Sequence, residues 1–353
     1  MNRQAKSILD GRSLRYWRIA QILIGLISLS IFFLLIFLPE IGIHAFWNVL
    51  IPIAPALLVL ATGLWRNVCP LASTSLIPRH LGFSKKKRLK VKQQGKLQLT
   101  AVILLFLIVP LRHTIFNTNG QTTALIIGVL ALIAFYAGSQ YDWKSAWCSG
   151  LCPIHPVEKL YGRKSLFTLP NAHCKSCINC VSPCPDDTPS IHPLYNKKKK
   201  KTNQKIAETL MIGGFPGFIW GWFHVQDYYN SEGWNHLIFT YAYPLLAMTI
   251  TLILFLIIKK TLTEKYEKTL INIFATVSIS LYYWYRLPAL IGFGLFQGDG
   301  MLIDLSQSLP YWFSNVLQIS TTLFFIWWIV FKKKNRTSWL IRPPYTKQIK
   351  PTF

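Results

Sequence analysis

Stretches of apolar residues, each about the length of a membrane span, alternate with short polar and basic segments along this chain. Residues 19–39, 44–64, 97–117, 122–138, 207–223, 239–258, 270–292 and 310–331 are the apolar stretches. A bilayer core is crossed by about 20 apolar residues in helical form, so each reads as a transmembrane helix. The first is too long for an ordinary signal peptide and lacks a small-residue cleavage site, so it reads as a span. The fifth carries Gly213, Gly214, Pro216, Gly217 and Gly221 and reads as broken or re-entrant.

Charge placement gives these spans an orientation. Lysine and arginine gather in cytoplasmic loops. Of the 38 Lys and Arg, the tail to Arg18 holds five, 65–96 nine, 139–206 eleven, 259–268 four and the tail after 331 seven. The intervening loops 40–43, 118–121, 224–238 and 293–309 hold none. The expected protein therefore crosses the bacterial inner membrane about eight times, with both termini in the cytoplasm. The two remaining basic residues, Arg112 and Arg286, fall inside predicted helices.

The net charge of +25 would suggest a nucleic-acid partner if it were read alone. Its sorting into alternate loops accounts for it and removes that reading. The run Lys197–Lys201 reads as an anchor for anionic lipid head groups, with a docking patch for an acidic redox partner as the alternative. No G-x-S-x-G, P-loop or dinucleotide fingerprint is present, so hydrolase, phosphotransferase and NAD-binding functions have no motif to stand on.

Seven cysteines carry the candidate chemistry. Cys174, Cys177, Cys180 and Cys184, the last followed by Pro185, run C-x2-C-x2-C-x3-C-P, the ligand spacing of bacterial [4Fe–4S] ferredoxins. Thiolates at two-residue gaps converge from one loop on one small cluster, and the proline turns the chain away. Zinc is the alternative, but structural zinc sites more often use two separated C-x2-C pairs. A reducing cytoplasm argues against disulfides. The other three cysteines form a pattern of their own. Trp147-Cys148-Ser149-Gly150-Leu151-Cys152-Pro153 follows the fourth span, and Leu64-Trp65-Arg66-Asn67-Val68-Cys69-Pro70 follows the second. Aligned on Cys-Pro, these are two copies of one motif, with Trp65 standing where the first copy lacks a cysteine. Spacing of i, i+4 places Cys148 and Cys152 on one face of a helical turn, within reach of one metal centre. The alternative is that all three are small apolar residues at helix ends.

Paired Cys-Pro motifs at the inner ends of helical hairpins, followed by a ferredoxin run, resemble the membrane polyferredoxins. That family includes the membrane quinol-dehydrogenase component of periplasmic nitrate reductase systems. It also includes the membrane flavoprotein supporting nitrous oxide reductase and a cytochrome oxidase assembly ferredoxin involved in copper handling. The likeness covers roughly residues 44–185. It implies that Cys148, Cys152, Cys174, Cys177, Cys180 and Cys184 are cofactor ligands, joined by Cys69. It also implies electron passage between quinones, cytoplasmic donors or acceptors and outer-side partners. The chain departs from the family in having one and a half C-x3-C-P motifs instead of two. It has a single ferredoxin run and no flavin-attachment signature, and its last four spans have no counterpart. The expected fold class is an all-α polytopic membrane protein with a small ferredoxin-like module in a cytoplasmic loop. Residues 1–138 form a first four-helix half containing Cys69-Pro70, 139–206 the [4Fe–4S] module, 207–331 a second four-helix half and 332–353 a basic cytoplasmic tail.

Two four-ligand clusters need eight ligands, and the chain has seven cysteines. Either one cluster sits on Cys174, Cys177, Cys180 and Cys184, or a second takes its missing ligand from His80, His155, His173 or an aspartate. In two-cluster ferredoxins the fourth cysteine of a run serves the other cluster. Cys184 would then join Cys69, Cys148 and Cys152.

A second constellation lies toward the outer face, where His44, His113, His224 and His236 fall near span ends and Arg112 and Arg286 lie within spans. Ionisable groups inside a membrane are costly and mark a site or a pathway. Three readings stay open: an aromatic belt with snorkelling arginines, a quinone site built from a histidine with an arginine or tyrosine, and haem b between His113 and His224. The functional expectation is a membrane-bound iron–sulfur electron-transfer protein of oxidoreductase type. It relays electrons between a quinone-level or cytoplasmic donor and a membrane or outer-side acceptor, with the quinone pool or a membrane redox complex as partner. One alternative is a redox assembly factor or metal reductase serving a copper/haem oxidase. Another is a transporter or sensor with a regulatory cluster, for which the broken fifth span and the arginines within spans speak.

Overall fold

The computed structural model describes residues 11–87, 89–141, 146–166, 169–170, 172–173, 202–332 and 340–341. Among these, six helices are long and apolar enough to cross a membrane: Gly11–Phe37, Pro39–Leu60, Lys92–His113, Gly120–Gln140, Glu232–Thr261 and Trp312–Phe331. The first is α1 (Gly11–Phe37). The second is α2 (Pro39–Ile43), a π turn (His44–Leu50) and α3 (Ile51–Leu60). Next come α4 (Thr62–Val68), α5 (Pro70–His80), α6 (Val91–Ile108) with its 3-10 extension (Pro110–His113), and α7 (Gly120–Gln140). After the π turn Trp147–Leu151 follow α8 (Ile154–Tyr161), α9 (Thr202–Thr209), α10 (Phe215–Phe223), α11 (Leu237–Thr261), α12 (Glu267–Leu290) and α13 (Trp312–Ile326).

The other two expected spans are also helical, at residues 202–223 and 267–290. They are the less apolar pair, and the reason is their place in the bundle. α12 buries Thr276, Ser278, Ser280 and Arg286 beside Ala275 and Ile279. A helix that faces other helices uses small and polar side chains where a lipid-facing one cannot. The opposite extreme is α1, whose buried residue is Leu35 alone.

The fifth segment is not broken. It is helical from Thr202 to Phe223, widened once by a π turn at Leu210–Gly214. Its glycines answer to α11: a Cβ on Gly217 would strike the backbone of Ala247, and one on Gly221 the backbone of Tyr243. The Gly217 N–H donates to Thr251 Oγ1 at 3.2 Å. Small residues let two backbones approach. These glycines therefore need no porphyrin face to explain them, and the transporter reading loses its broken helix.

The core between the helices gathers Leu58 and Val59 of α3, Val102 and Phe106 of α6, Phe218 of α10, Ile279 and Tyr283 of α12, and Trp328. Tyr283 does more than fill space. Pro55 lies inside α3, and the Tyr283 hydroxyl enters the backbone ladder there. It accepts from the Ala56 N–H at 2.8 Å and donates to the Pro52 carbonyl at 2.7 Å. A side chain inserted in this way keeps both backbone groups bonded where the helix is disturbed.

The connection at 65–96, expected as a loop, is largely helical. α4 continues from α3, and α5 lies against α7, where Gly138 faces the Ser75 carbonyl too closely for a Cβ. The following segment runs beside the end of α7, with the Lys85 and Lys87 N–H groups donating to Ser139 O and Gln140 O at 2.7 and 3.0 Å. Part of the expected 139–206 module tucks under α3 and α4. The Leu166 N–H donates to Leu60 O at 2.7 Å, and the Ala172 N–H donates to Asn67 Oδ1 at 3.1 Å. β1 (Leu169–Pro170) pairs in parallel with β2 (Leu340–Ile341) near the C-terminal segment.

Candidate functional site

The two Cys-Pro motifs adopt one backbone conformation. Cys69 has φ −54° and ψ 122° and leads into α5 through Pro70. Cys152 has φ −64° and ψ 118° and leads into α8 through Pro153. Proline disfavours the α region for the residue before it, and here each cysteine is extended, ends one helical segment and stands just before the next. The i, i+4 turn expected across Cys148 and Cys152 is a π turn, closed by the Cys152 N–H on Trp147 O at 2.8 Å.

These motifs meet in space. Cys69, Cys148 and Cys152 belong to one packed cluster with Ala72, Ala134 and Trp147. Burial pushes the Cys152 thiol up, and Cys148, Glu158 and Cys69 push it the same way. Ionising such thiols calls for positive charge beside them, which is what an iron–sulfur centre brings to its ligands. The residue types are those of a thiolate set, and their shared packing brings them to one place. Among the described residues, no three His, Cys, Asp or Glu side chains form a metal-holding group, Cys69, Cys148 and Cys152 included. Cys174, Cys177, Cys180 and Cys184 lie outside the described residues.

Beside the thiols sits a buried charged trio. Arg66 Nη2 is 2.7 Å from Glu158 Oε2 and 2.6 Å from His155 Nδ1, and His155 Nδ1 is 3.1 Å from Glu158 Oε2. Arg66 is 3% exposed. In sequence it reads as one more loop cation, so its burial is unexpected. His173 is also buried, while His80 ends α5.

The far end of the bundle holds the second constellation. Arg112 Nη1 donates to Asp227 Oδ1, and His113 Nδ1 lies 2.6 Å from the same oxygen. Burial raises Asp227, but Arg112 and His113 outweigh it and hold the carboxyl below its ordinary range. The Asp227 N–H donates to Asp299 Oδ2 at 2.6 Å. Arg286 Nη2 donates to Trp47 O at 2.5 Å and to Asn48 Oδ1 at 2.9 Å. Neither arginine snorkels, since they are 5% and 3% exposed. Arg112, His113, Trp222, Tyr285, Arg286 and Asp299 line one pocket.

The remaining histidines have separate settings. His224 stacks on Trp220, meets Tyr285 edge-on and lies with Nδ1 2.7 Å from Trp220 O. Unlike His113, it does not line the pocket. His44 Nδ1 lies 3.0 Å from Asn48 Nδ2, and His236 stacks on Tyr228. Asp227 and Asp299 were not singled out from sequence. The available signal was a need: two arginines within spans require anions, and few acidic residues stand in the outer loops to serve them.

No family model matches the chain, and no solved structure matches it. A stretch of 55 residues is 36% identical to the "Ferredoxin-type protein NapH" of Haemophilus influenzae, covering 15% of this chain and 19% of that protein. The chain thus matches about a fifth of the length of that curated relative. This likeness covers too little of either chain to place this one in a family. Together with the six apolar helices, it is consistent with a membrane protein of ferredoxin type.

Proposed function

We propose that the chain is a membrane-bound iron–sulfur electron-transfer protein. It relays electrons between a quinone-level or cytoplasmic donor and a membrane or outer-side acceptor. The observation that carries the reading is the meeting of Cys69 with Cys148 and Cys152, three thiols delivered by two like-folded Cys-Pro turns. The spacing of Cys174, Cys177, Cys180 and Cys184 supports a first [4Fe–4S] cluster. The packed trio supports a second centre that shares a ligand with that run. A bound cluster supplies one-electron transfer. The protein's part is to deliver sulfurs from rigid turns, to bury them and to set Arg66, His155 and Glu158 beside them. Burial and nearby charge are the means by which a protein sets such a potential. The loop charges support a bacterial inner membrane location with the cysteine end in the cytoplasm, and the quinone pool is the proposed membrane partner.

The test is anaerobic iron and sulfide quantification of the detergent-purified chain, with EPR before and after dithionite and a pyridine haemochrome assay on the same sample. About eight iron with two interacting spins fits two clusters, and about four fits one. Zinc without iron would overturn the electron-transfer reading. Haem in that sample would bring His113 and His224 into the redox chain.

A further inference from the structure

The cysteine end of the bundle buries a hydrogen-bond donor with nothing to receive its proton. Trp147 is 1% exposed, and its indole Nε1 is buried with no hydrogen-bond partner among the described residues. A buried tryptophan N–H ordinarily finds an acceptor, and leaving one unmade costs stability. An orphan of this kind calls for a cause, and a group bound at a redox site is one. The apolar side chains packed with Trp147 are alanines, leucines, one isoleucine and the three cysteines, Cys69, Cys148 and Cys152. Their one kind of heteroatom is sulfur.

The place of Trp147 in the turn is also specific. It opens the π turn Trp147–Leu151 directly before Cys148, and its carbonyl takes the Cys152 N–H at 2.8 Å. The turn that presents both cysteines is thus closed on this residue. When the two Cys-Pro motifs are aligned, Leu64 stands opposite Trp147. The indole donor therefore belongs to the copy that carries two sulfurs, and the copy with one has no such group. Hydrogen bonds to the sulfurs are one of the levers by which a protein sets the potential of an iron–sulfur centre.

We propose that Trp147 Nε1–H donates to a sulfur of the centre held by Cys69, Cys148 and Cys152 with a further ligand, and thereby raises its reduction potential. The inference rests on the second-centre reading above. Its sign follows from charge. Reduction adds one electron and makes the sulfurs more negative, and a donor is held more strongly by the more negative acceptor. The N–H therefore favours the reduced form. Trp147 is not a ligand but a residue that tunes the centre.

The experiment is a reductive titration of the full chain followed by EPR, on protein purified anaerobically in detergent, with iron and sulfide counted on each sample. Trp147→Phe keeps an aromatic ring and removes the N–H. Iron should be unchanged. The ratio of reduced to oxidised second centre at a fixed potential should fall about tenfold, as for loss of a charged hydrogen bond. For one electron that is a midpoint lower by about 59 mV. A substitution that merely loosened packing and admitted water would stabilise the more negative form and move the midpoint upward. If Trp147→Phe does not fold, pulsed EPR of the parent chain carrying 15N-indole tryptophan decides, through a hyperfine coupling from an indole nitrogen to the reduced second centre. An unchanged or raised midpoint with full iron, or no 15N coupling, would overturn the proposal and leave the iron–sulfur reading standing. About four iron in the parent chain, with none lost in the Cys148→Ser, Cys152→Ser double variant, would remove the second centre and the proposal with it.

Discussion

The two ends of the bundle contain the same trio in different company. One end buries Arg66, Glu158 and His155, and the other buries Arg112, Asp227 and His113. In both, an arginine and a histidine nitrogen share one carboxylate oxygen. At the cysteine end the neighbours are three thiols, of which Cys152 is pushed up by burial. At the arginine end the neighbour is a second guanidinium whose partners are carbonyls. The trios nearly balance themselves, so the surroundings decide what each end lacks. The thiols lack a cation, whereas Arg286, bonded to carbonyls, stands in a pocket that the Asp299 carboxylate also lines. A buried charge left uncompensated costs several kcal/mol, so Asp227 and Asp299 matter to the balance of the arginine end.

The largest separation between the ends should appear in metal content. Cys148→Ser combined with Cys152→Ser is expected to reduce bound iron from about eight to about four per chain and to abolish spin–spin interaction in the EPR spectrum. Arg286→Gln should leave iron unchanged. Full iron in the double variant would make Cys148 and Cys152 structural, and iron loss in Arg286→Gln would mean that the two ends are not independent.

A smaller effect should separate the two trios. Glu158→Gln and Asp227→Gln each leave an arginine without its carboxylate, a loss of about 3–5 kcal/mol when one partner of a buried pair is removed. Asp227→Gln should be the worse of the two, because the Arg112 it leaves unpaired has a second buried cation, Arg286, close by. Unfolding temperatures in detergent give the order. The double change Arg112→Met with Asp227→Leu should recover most of the loss, since replacing a whole buried pair by apolar groups is far milder than halving it. Equal losses at the two ends would show that Arg286 has no electrostatic influence on the Arg112–Asp227 pair.

Much of the helical frame could be read from apolar runs alone. Expected boundaries at 122–138 and 239–258 became Gly120–Gln140 and Leu237–Thr261, because lipid-length hydrophobicity is a strong signal. What the same signal missed is instructive. Gly213, Gly217 and Gly221 read as helix breakers, yet they serve close packing on α11, and only the partner helix reveals that. Arg66 counted as a loop cation, because a positive residue just past a span reads alike whether it faces lipid head groups or Glu158. Asp227 pairs with an arginine far away in the chain, and no local spacing records such a pair. The meeting of the two Cys-Pro motifs was partly legible, because their likeness to one another suggested a shared role. The π turn that carries Cys148 was not, since it has the same letters as an α turn.

The subtlest prediction concerns Asp299, which makes the carboxylates of the arginine end unequal. Burial and the neighbouring Asp227 charge raise Asp299 to about 6, while Arg112 pulls the other way. The groups facing it are Asp227, Arg112 and Tyr229. Its ordinary value is 3.8, so the folded protein holds this proton more tightly than the unfolded chain does. The resulting stabilisation is complete below about pH 4 and is lost as pH rises through about 6. Asp299→Asn should therefore flatten the fall in unfolding temperature between pH 4 and 6 and be relatively more stable than the parent above it. Because Asp299 is only half-buried, solvent screens part of the effect, and the shift should be smaller than either trio substitution produces. Unfolding curves at half-unit pH steps read it directly. Parallel pH profiles for the two proteins would mean that Asp299 titrates normally and does not sense Asp227. A flattened profile would show that this carboxylate carries its proton until close to neutrality, so that its charge counters the paired arginines only above about pH 6.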